Sequence, residues 1–183
     1  MVRSSAAGTR LRRQSRLPRP GGGESPERPS ATAREHGLEL LGRRDFTGRG
    51  MLERLLADGY RSEETADAVA YLTESGYLDD RRFAERFLES TRARHGHGRA
   101  WLERELLARG VPRETVAAVL AEGRGKDGEI DEAVELARGM LRRSPEMPER
   151  KIASRLASRG FAWEVVRAAL GRLGKPSEDP PPD

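Results

Sequence analysis

The chain has 183 residues, of which 36% are hydrophobic and 35% are charged. Globular domains typically have about 45–50% apolar and about 25% charged residues, so any core must be thin and each folded piece small. Cysteine is absent, which excludes a disulfide framework, a thiolate nucleophile and cysteine-ligated metal centres. The composition favours a modular helical protein over an enzyme with a deep pocket, and we expect it in the reduced cytoplasm.

The net charge of +4 is concentrated in one tail. Residues 1–34 hold eight arginines and two glutamates, whereas residues 35–173 are neutral overall. The segment 1–32 is also rich in Gly, Pro and Ser, so we predict a disordered basic tail there, and a second disordered tail over 174–183. No run of about 18 apolar residues and no signal peptide occurs, so we expect a soluble protein.

Between the tails the sequence repeats. A glycine followed by an apolar residue recurs at Gly59, Gly110 and Gly160. Apolar residues stand eight and four positions before each glycine, which places them on one face of a helix. A glutamate stands four positions after each glycine, where the first turn of a following helix favours an acid. Each glycine is therefore predicted to end one helix and precede another.

Few β-branched and aromatic residues occur, and strong helix formers dominate, so we predict an all-α fold. We expect an elongated array of three tandem three-helix repeats, over 33–76, 77–127 (with a joint at its end) and 128–173. Because a unit of about 45 residues is near the lower limit for a stable core, neighbouring units should pack against each other.

The middle of the chain carries a distinctive run: Gly76, Tyr77, Leu78, Asp79, Asp80, Phe83 and Ala84. Asp79 or Asp80 can cap the next helix, whose inward stripe begins at Phe83. Tyr77 and Leu78 are predicted to staple the units together. The alternative, a carboxylate pair for acid–base catalysis, lacks a partner base nearby.

Six arginines of the middle unit are candidate partner-binding residues: Arg81, Arg82, Arg92, Arg94, Arg99 and Arg104. Glutamates three or four positions from several of them are equally typical of a solvated helix face. No acid lies between Thr91 and Leu102, so Arg92, Arg94 and Arg99 form a cluster that can meet an acidic protein surface or phosphate.

Other residues give no enzymatic signal. His95 and His97 lack a cysteine or nearby carboxylate that would complete a metal site, and are interpreted as loop histidines. Trp101 and Trp163 fall in first turns of repeat helices, where rim packing and a partner hot spot are both open. No phosphate-binding loop, nucleophile elbow or His-Glu-x-x-His helix occurs. We expect no catalytic residue, cofactor or metal, and no enzymatic activity.

The distinctive run is followed by a second set of residues at suggestive spacing: Arg94, His95, Gly96, His97, Gly98, Leu102, Glu105, Leu106, Arg109, Gly110 and Val111. Together with Arg159, Gly160 and Phe161 in the third unit, this pattern resembles the RecX family of bacterial regulatory proteins over residues 34–173. Thr47, Arg99 and Arg155 stand where that family often has Ser, Pro and Phe. The resemblance implies tandem three-helix repeats that bind the RecA recombinase filament on single-stranded DNA. It also implies inhibition of the filament's ATPase, strand-exchange and coprotease activities, and hence modulation of recombination, DNA repair and the SOS response.

Two other interpretations stay open. The first is a helical protein that binds DNA or RNA through the arginines of the tail, and the second is a helical-repeat scaffold for another protein. The neutral charge of residues 35–173 argues against a helical core that grips DNA through its own phosphate contacts, which leaves weak direct DNA contact to the tail. We expect a monomer.

Overall fold

The structure is a computed structural model that describes residues 31–94, 96–123 and 125–174, with the side chains of 92–94 excepted. Over these residues the chain forms nine α-helices and no strand, which confirms the all-α prediction. The helices are α1 (Ala33–Arg43), α2 (Gly48–Ala57), α3 (Ser62–Glu74), α4 (Asp80–Arg94), α5 (Arg99–Ala108), α6 (Arg113–Glu122), α7 (Lys126–Arg143), α8 (Glu149–Ala157) and α9 (Trp163–Arg172). The tails predicted to be disordered, 1–32 and 174–183, lie outside the described residues except for positions 31, 32 and 174.

Each consecutive set of three helices encloses its own core, and the three units follow one another in an elongated array. Unit 1 (α1–α3) is centred on Leu55 and Leu72, unit 2 (α4–α6) on Leu106, and unit 3 (α7–α9) on Ile152 and Leu170, all of them fully buried. These residues come from the apolar faces that repeat along the sequence, so each helix buries one stripe against its two partners.

The glycine that ends the second helix of each unit adopts the left-handed conformation. The φ angles of Gly59, Gly110 and Gly160 are 93°, 87° and 85°. In each turn the N–H of the residue after the glycine donates to the carbonyl five positions earlier, at 3.1–3.3 Å. This pattern satisfies carbonyls that the helix end leaves without an internal partner. The three turns thus orient the third helix of every unit in the same way.

The units begin and end slightly away from their predicted bounds. Thr32, assigned to the tail by the sequence, caps α1: its hydroxyl accepts from the Glu35 N–H at 3.3 Å, and the Glu35 carboxylate accepts from the Thr32 N–H at 2.8 Å. Leu78 packs in the core of unit 1, and Lys126 already begins α7. These small differences arise because caps and connecting segments join the helix whose free backbone groups they satisfy.

Candidate interaction surface and the joints that position it

The distinctive run of the sequence lies at the junction of units 1 and 2. The Asp79 carboxylate accepts the N–H of Arg82 at 2.9 Å, so Asp79 caps α4 as one of the two predicted candidates. The neighbouring Asp80 acts across the junction, because its carboxylate accepts the N–H of Gly48 at the start of α2, at 2.8 Å. Two adjacent carboxylates therefore cap two helices in different units.

A second bond across the same junction comes from Thr47. Its hydroxyl accepts the Gly50 N–H at 2.9 Å and donates to the Arg109 carbonyl of unit 2 at 2.6 Å. Thr47 is 2% exposed, so its hydroxyl is shielded from water and must form its hydrogen bonds with these two protein groups. We call this set of contacts between units 1 and 2 the first joint.

The joint between units 2 and 3, the second joint, repeats the arrangement at equivalent positions. When Gly110 is aligned with Gly59, Gly98 takes the position of Thr47, and the Gly98 N–H donates to the Arg159 carbonyl at 3.0 Å. The Arg99 N–H donates to the Glu129 carboxylate at 2.8 Å, as the Gly48 N–H does to Asp80. A proline at position 99 would lack this N–H and could not make the bond.

Close backbone approach at the second joint depends on glycine. A Cβ at Gly98 would lie 2.1 Å from the Gly160 carbonyl oxygen, and a Cβ at Gly160 would lie 2.5 Å from the Trp101 Cβ. The Ala100 N–H also donates to the Gly160 carbonyl, at 3.3 Å. The two segments therefore pack at backbone distance, which fixes the orientation of unit 3 on unit 2.

Aromatic rings support this joint from inside unit 2. The Trp101 ring stacks on His97 with centroids 3.8 Å apart, and its centroid is also 6.2 Å from that of Phe87. The Arg109 guanidinium lies 4.6 Å from the Phe87 ring centroid. Trp163 is partly buried against the core of unit 3. Both tryptophans therefore make packing contacts within their own units.

The six candidate arginines differ in what they contact, and Arg81 and Arg82 each bind groups near the end of a helix. Arg81 pairs with Glu85 at 2.9 Å and with Glu122, and the hydrogen bond from Arg81 to Glu122 raises the pKa of the guanidinium. Arg82 donates to the carbonyls of Gly76 and Tyr77 at the end of unit 1, at 3.0 and 3.2 Å.

The side chains of Arg99 and Arg104 have different contacts, although both residues lie on α5. The Arg99 guanidinium donates to the Leu120 carbonyl at 2.6 Å, so it satisfies the end of α6. Arg104 is exposed and has no ion-pair partner among the described residues. The side chains of Arg92 and Arg94 lie outside the described part of the chain. Of the six, Arg104 is the described cation that is available to a partner.

The two residues predicted to staple the units together lie in different environments. Leu78 is 3% exposed and packs in the core of unit 1, but Tyr77 is 52% exposed and contributes nothing to that core. Gly76 precedes it at a φ of 71°, and this turn directs the chain so that Leu78 alone points inward. The prediction for Tyr77 was wrong: the N–H groups of Tyr77 and Leu78 both donate to the Leu72 carbonyl at 2.9 Å, and this tight turn buries Leu78 and leaves Tyr77 exposed.

A polar cluster in unit 1 joins α1 to the end of α2. The Asp58 carboxylate lies 2.9 Å from the His36 Nε2 and 2.9 Å from the Arg54 Nε. Burial raises the pKa of this carboxyl, but the hydrogen bonds from His36 and Arg54 outweigh it, so the pKa of Asp58 is lowered overall. The cluster therefore favours the charged carboxylate in the folded state.

Contacts across the joints were missed by sequence reasoning. The cross-unit acceptors Asp80 and Glu129 bind N–H groups of a neighbouring unit, and Arg86 forms an ion pair with Asp45 at 2.7 Å. A signal was present for the two acceptors, since each lies in the first turn of the helix that opens the next unit. These pairs nevertheless join distant parts of the sequence, which local patterns do not connect.

Two kinds of feature are absent from the part of the chain that the structure describes. Within the described ranges no group of His, Asp and Glu residues could hold a metal ion; His95 lies outside them. No described helix is both long and apolar enough to cross a membrane.

Comparisons with known proteins agree with this architecture. Residues 79–120 match the family model of the second three-helix domain of RecX. The chain is 38% identical to the regulatory protein RecX of Chromohalobacter salexigens over 76% of this chain and 91% of that protein. It is 31% identical to the regulatory protein RecX of Trichlorobacter lovleyi, over 71% of this chain and 88% of that protein.

Solved structures show the same fold. The crystal structure of RecX from Lactobacillus salivarius superposes with a TM-score of 0.72 at 15% sequence identity, covering 78% of this chain and 94% of that one. A second crystal structure of a regulatory protein RecX gives a TM-score of 0.65 at 19% identity over 73% of this chain and 68% of that one. The sequence relationship and the shared fold together show that this chain belongs to the RecX family of regulatory proteins.

Proposed function

We propose that this chain binds the RecA recombinase filament and inhibits its ATPase, strand-exchange and coprotease activities, and so modulates recombination, DNA repair and the SOS response. Family membership supports the choice of partner. The observation that carries the mode of binding is the joint that recurs between units 1 and 2 and between units 2 and 3. The protein acts as a cytoplasmic, non-catalytic monomer.

The repeated joint suits a repeating partner. Two equivalent sets of hydrogen bonds hold three similar units in a defined succession, and a filament offers the same subunit surface at regular intervals. Individually weak contacts then add, because each unit that binds raises the effective concentration of the next. Bridging neighbouring subunits opposes the rearrangements that ATP hydrolysis and strand exchange require.

The contact is expected to include the exposed face of α5. Arg104 supplies an available cation there, and Arg92 and Arg94 at the end of α4 remain candidates from the sequence. Arg81 and Arg99 bind the end of α6, and Arg82 binds carbonyls of the segment that follows α3, so their first role is to hold helices of units 1 and 2 in place. An acidic strip on the recombinase would complement the available charges and speed association.

Two measurements test this proposal. The protein should lower DNA-dependent ATP hydrolysis by the recombinase of the same organism, and in a pull-down at fixed salt it should bind recombinase assembled on single-stranded DNA more tightly than free recombinase. Equal affinity for filament and free subunit would overturn the bridging mode. Unchanged ATP hydrolysis at saturating protein would overturn the function itself.

A further inference from the structure

Positive charge is unevenly distributed along the three units. The end of α7, the following turn and α8, residues 138–159, hold seven Lys and Arg residues against two Glu residues. When the left-handed glycines are aligned, the equivalent segments of units 1 and 2 are 37–58 and 88–109, which hold four cations against four acids and five against three. The neutral charge of residues 35–173 as a whole therefore hides a positive end in unit 3.

In unit 1 the arginines of the equivalent helix, α2, are neutralised by acids one turn later. Arg49 pairs with Glu53 at 2.7 Å, and Arg54 pairs with Asp58 at 2.9 Å. Pairs of this spacing are typical of a solvated helix face. Both arginines of α2 therefore have their charge matched within unit 1.

Helix α8 of unit 3 has the same two cations without the two acids. In the same alignment, Arg150 and Arg155 stand at the positions of the two arginines of α2, whereas Ser154 and Arg159 stand at the positions of their acidic partners. Lys151 adds a third cation. Arg150, Lys151 and Arg155 are exposed, and none of them forms an ion pair with another described residue. We call these three residues the α8 basic face.

The α8 basic face lies opposite the stripe that α8 buries in the core of unit 3. Lys151 and Arg155 are one helical turn apart, and both line a hollow beside the turn between α7 and α8. Glu146 lines the same hollow but pairs with neither of them. The Arg155 guanidinium lies 3.4 Å from the Met147 sulfur, a weak acceptor that leaves the positive charge unneutralised.

The surroundings of this face favour nucleic acid over protein as its ligand. The large apolar side chains that are exposed in the described ranges are Leu52, Leu56, Tyr71 and Tyr77, and none of them belongs to unit 3. Protein interfaces depend on apolar and aromatic anchors, whereas protein–DNA interfaces are more polar and much more positive. The exposed Ser154 lies between the three cations, and its hydroxyl is a further group of the kind that contacts phosphate oxygens.

The aromatic residues of unit 3 favour a duplex over a single strand. Proteins that bind single strands stack the bases on aromatic rings, but Phe161 and Trp163 pack in or against the core of unit 3. A face that acts through charge alone binds best where phosphates are densest, and duplex DNA carries one negative charge for about every 1.7 Å of its axis. We infer that the α8 basic face binds the phosphate backbone of double-stranded DNA without reading its bases. This inference goes beyond the proposed function, because it concerns the chain alone and needs no recombinase.

Fluorescence anisotropy with a labelled DNA duplex of mixed sequence tests the inference, using the full chain without recombinase over a series of salt concentrations. The triple variant Arg150→Gln, Lys151→Gln, Arg155→Gln should weaken duplex binding about tenfold or more at low salt. It should also reduce the slope of log affinity against log salt concentration by about 2–3, because each lost phosphate contact removes about 0.9 from that slope. Every variant keeps residues 1–30, so the contribution of the basic tail is the same in all of them.

The matched control neutralises three exposed arginines that have acidic partners: Arg43→Gln, Arg61→Gln and Arg138→Gln together. It changes the net charge by the same amount but leaves the α8 basic face intact, so it should bind the duplex nearly as the parent protein does. A second control keeps the charge of the face and changes its side chains: R150K, K151R and R155K together. This variant should keep the affinity and the salt slope of the parent protein, and circular dichroism melting should show all three variants folded.

Three outcomes would overturn the inference. The first is equal duplex affinity of the α8 triple variant and the matched control. The second is a larger loss of affinity for a labelled single strand than for the duplex, which would show that a single strand is the ligand. The third is weaker inhibition of the recombinase by the α8 triple variant with unchanged duplex affinity, which would assign the face to a protein contact and leave the proposed function in place.

Discussion

Gly98→Ala tests whether the second joint holds the array together. The backbone at Gly98 has φ −68° and ψ 162°, which alanine adopts freely, so its own conformational preference is not the obstacle. The added Cβ would lie 2.1 Å from the oxygen and 2.2 Å from the carbon of the Gly160 carbonyl, whereas Cβ atoms essentially never approach other heavy atoms below 3.0 Å. Because both partners are backbone, the clash is relieved only if unit 3 moves away from unit 2.

The expected cost follows from the bonds that this movement breaks. The Gly98 N–H to Arg159 carbonyl bond and the Ala100 N–H to Gly160 carbonyl bond are both lost from the joint. At about 0.5–1.5 kcal/mol for each, the free energy of unfolding should fall by about 1–3 kcal/mol. Each unit keeps its own core, so helix content should stay near that of the parent protein.

Urea unfolding followed by circular dichroism measures the loss of stability, and small-angle X-ray scattering measures the change in the arrangement of units. Gly171→Ala is the matched control, because a Cβ there meets no atom within 4 Å in α9 and should stabilise the helix by about 0.5–1 kcal/mol. If the joint also positions the contact surface, the Gly98→Ala protein should inhibit the recombinase less than the parent protein does, although the helix contents of the two proteins are similar. A Gly98→Ala protein with the stability and scattering curve of the parent would refute the reasoning.

Further changes test the core, the charge, the acid response and the tail. Leu106→Ala empties a fully buried site and should lower the free energy of unfolding by about 2–5 kcal/mol in urea; a much smaller loss would contradict its central position. Arg104→Glu should change stability by no more than about 0.5 kcal/mol yet weaken filament binding in a pull-down, while Arg142→Glu, exposed in unit 3, should not; equal effects would move the contact away from α5. The folded-state pKa of Asp58 is lowered, so its charged carboxylate stabilises the fold above the unfolded pKa of about 3.9, and this stabilisation disappears as the pH falls through the lower folded pKa. Asp58→Asn should therefore unfold more easily than the parent protein at neutral pH. A difference in stability that persists unchanged at acidic pH would contradict this reasoning. Deleting residues 1–30 should leave the melting temperature nearly unchanged and reduce direct DNA binding and its salt dependence; loss of filament inhibition as well would favour the nucleic-acid interpretation.

The repeats could be predicted because their signals are local. Gly59, Gly110 and Gly160 mark positions where the chain must adopt positive φ, and the apolar spacing before each of them needs only the helical period of about 3.6 residues. The residues of each core can therefore be predicted from sequence segments shorter than one unit. The same locality explains why Asp79 was among the predicted caps of α4.

The roles of the arginines could not be predicted because they depend on docking between helices. Arg99 looked available for a partner since no acid lies between Thr91 and Leu102, but its guanidinium binds the carbonyl of Leu120 on the next helix. Arg81 pairs with Glu122, which lies at the far end of unit 2 in sequence. A triple reversal of Arg92, Arg94 and Arg99 would consequently disturb unit 2 as well as any contact, whereas Arg104 separates the two effects.

Comparison of equivalent positions shows what the joint requires. The Thr47 hydroxyl and the Gly98 backbone N–H are different donors. Each nevertheless donates to the carbonyl of the residue just before the left-handed glycine of the next unit. The joint is therefore defined by an accessible carbonyl and one donor, and not by a particular side chain. When Gly160 is aligned with the other two glycines, the equivalent position in unit 3 is Pro148, which has neither an N–H nor a hydroxyl. Unit 3 cannot form this bond to any further unit, including unit 1 of a second copy, and this property supports the proposal that the protein acts as a monomer on its filament.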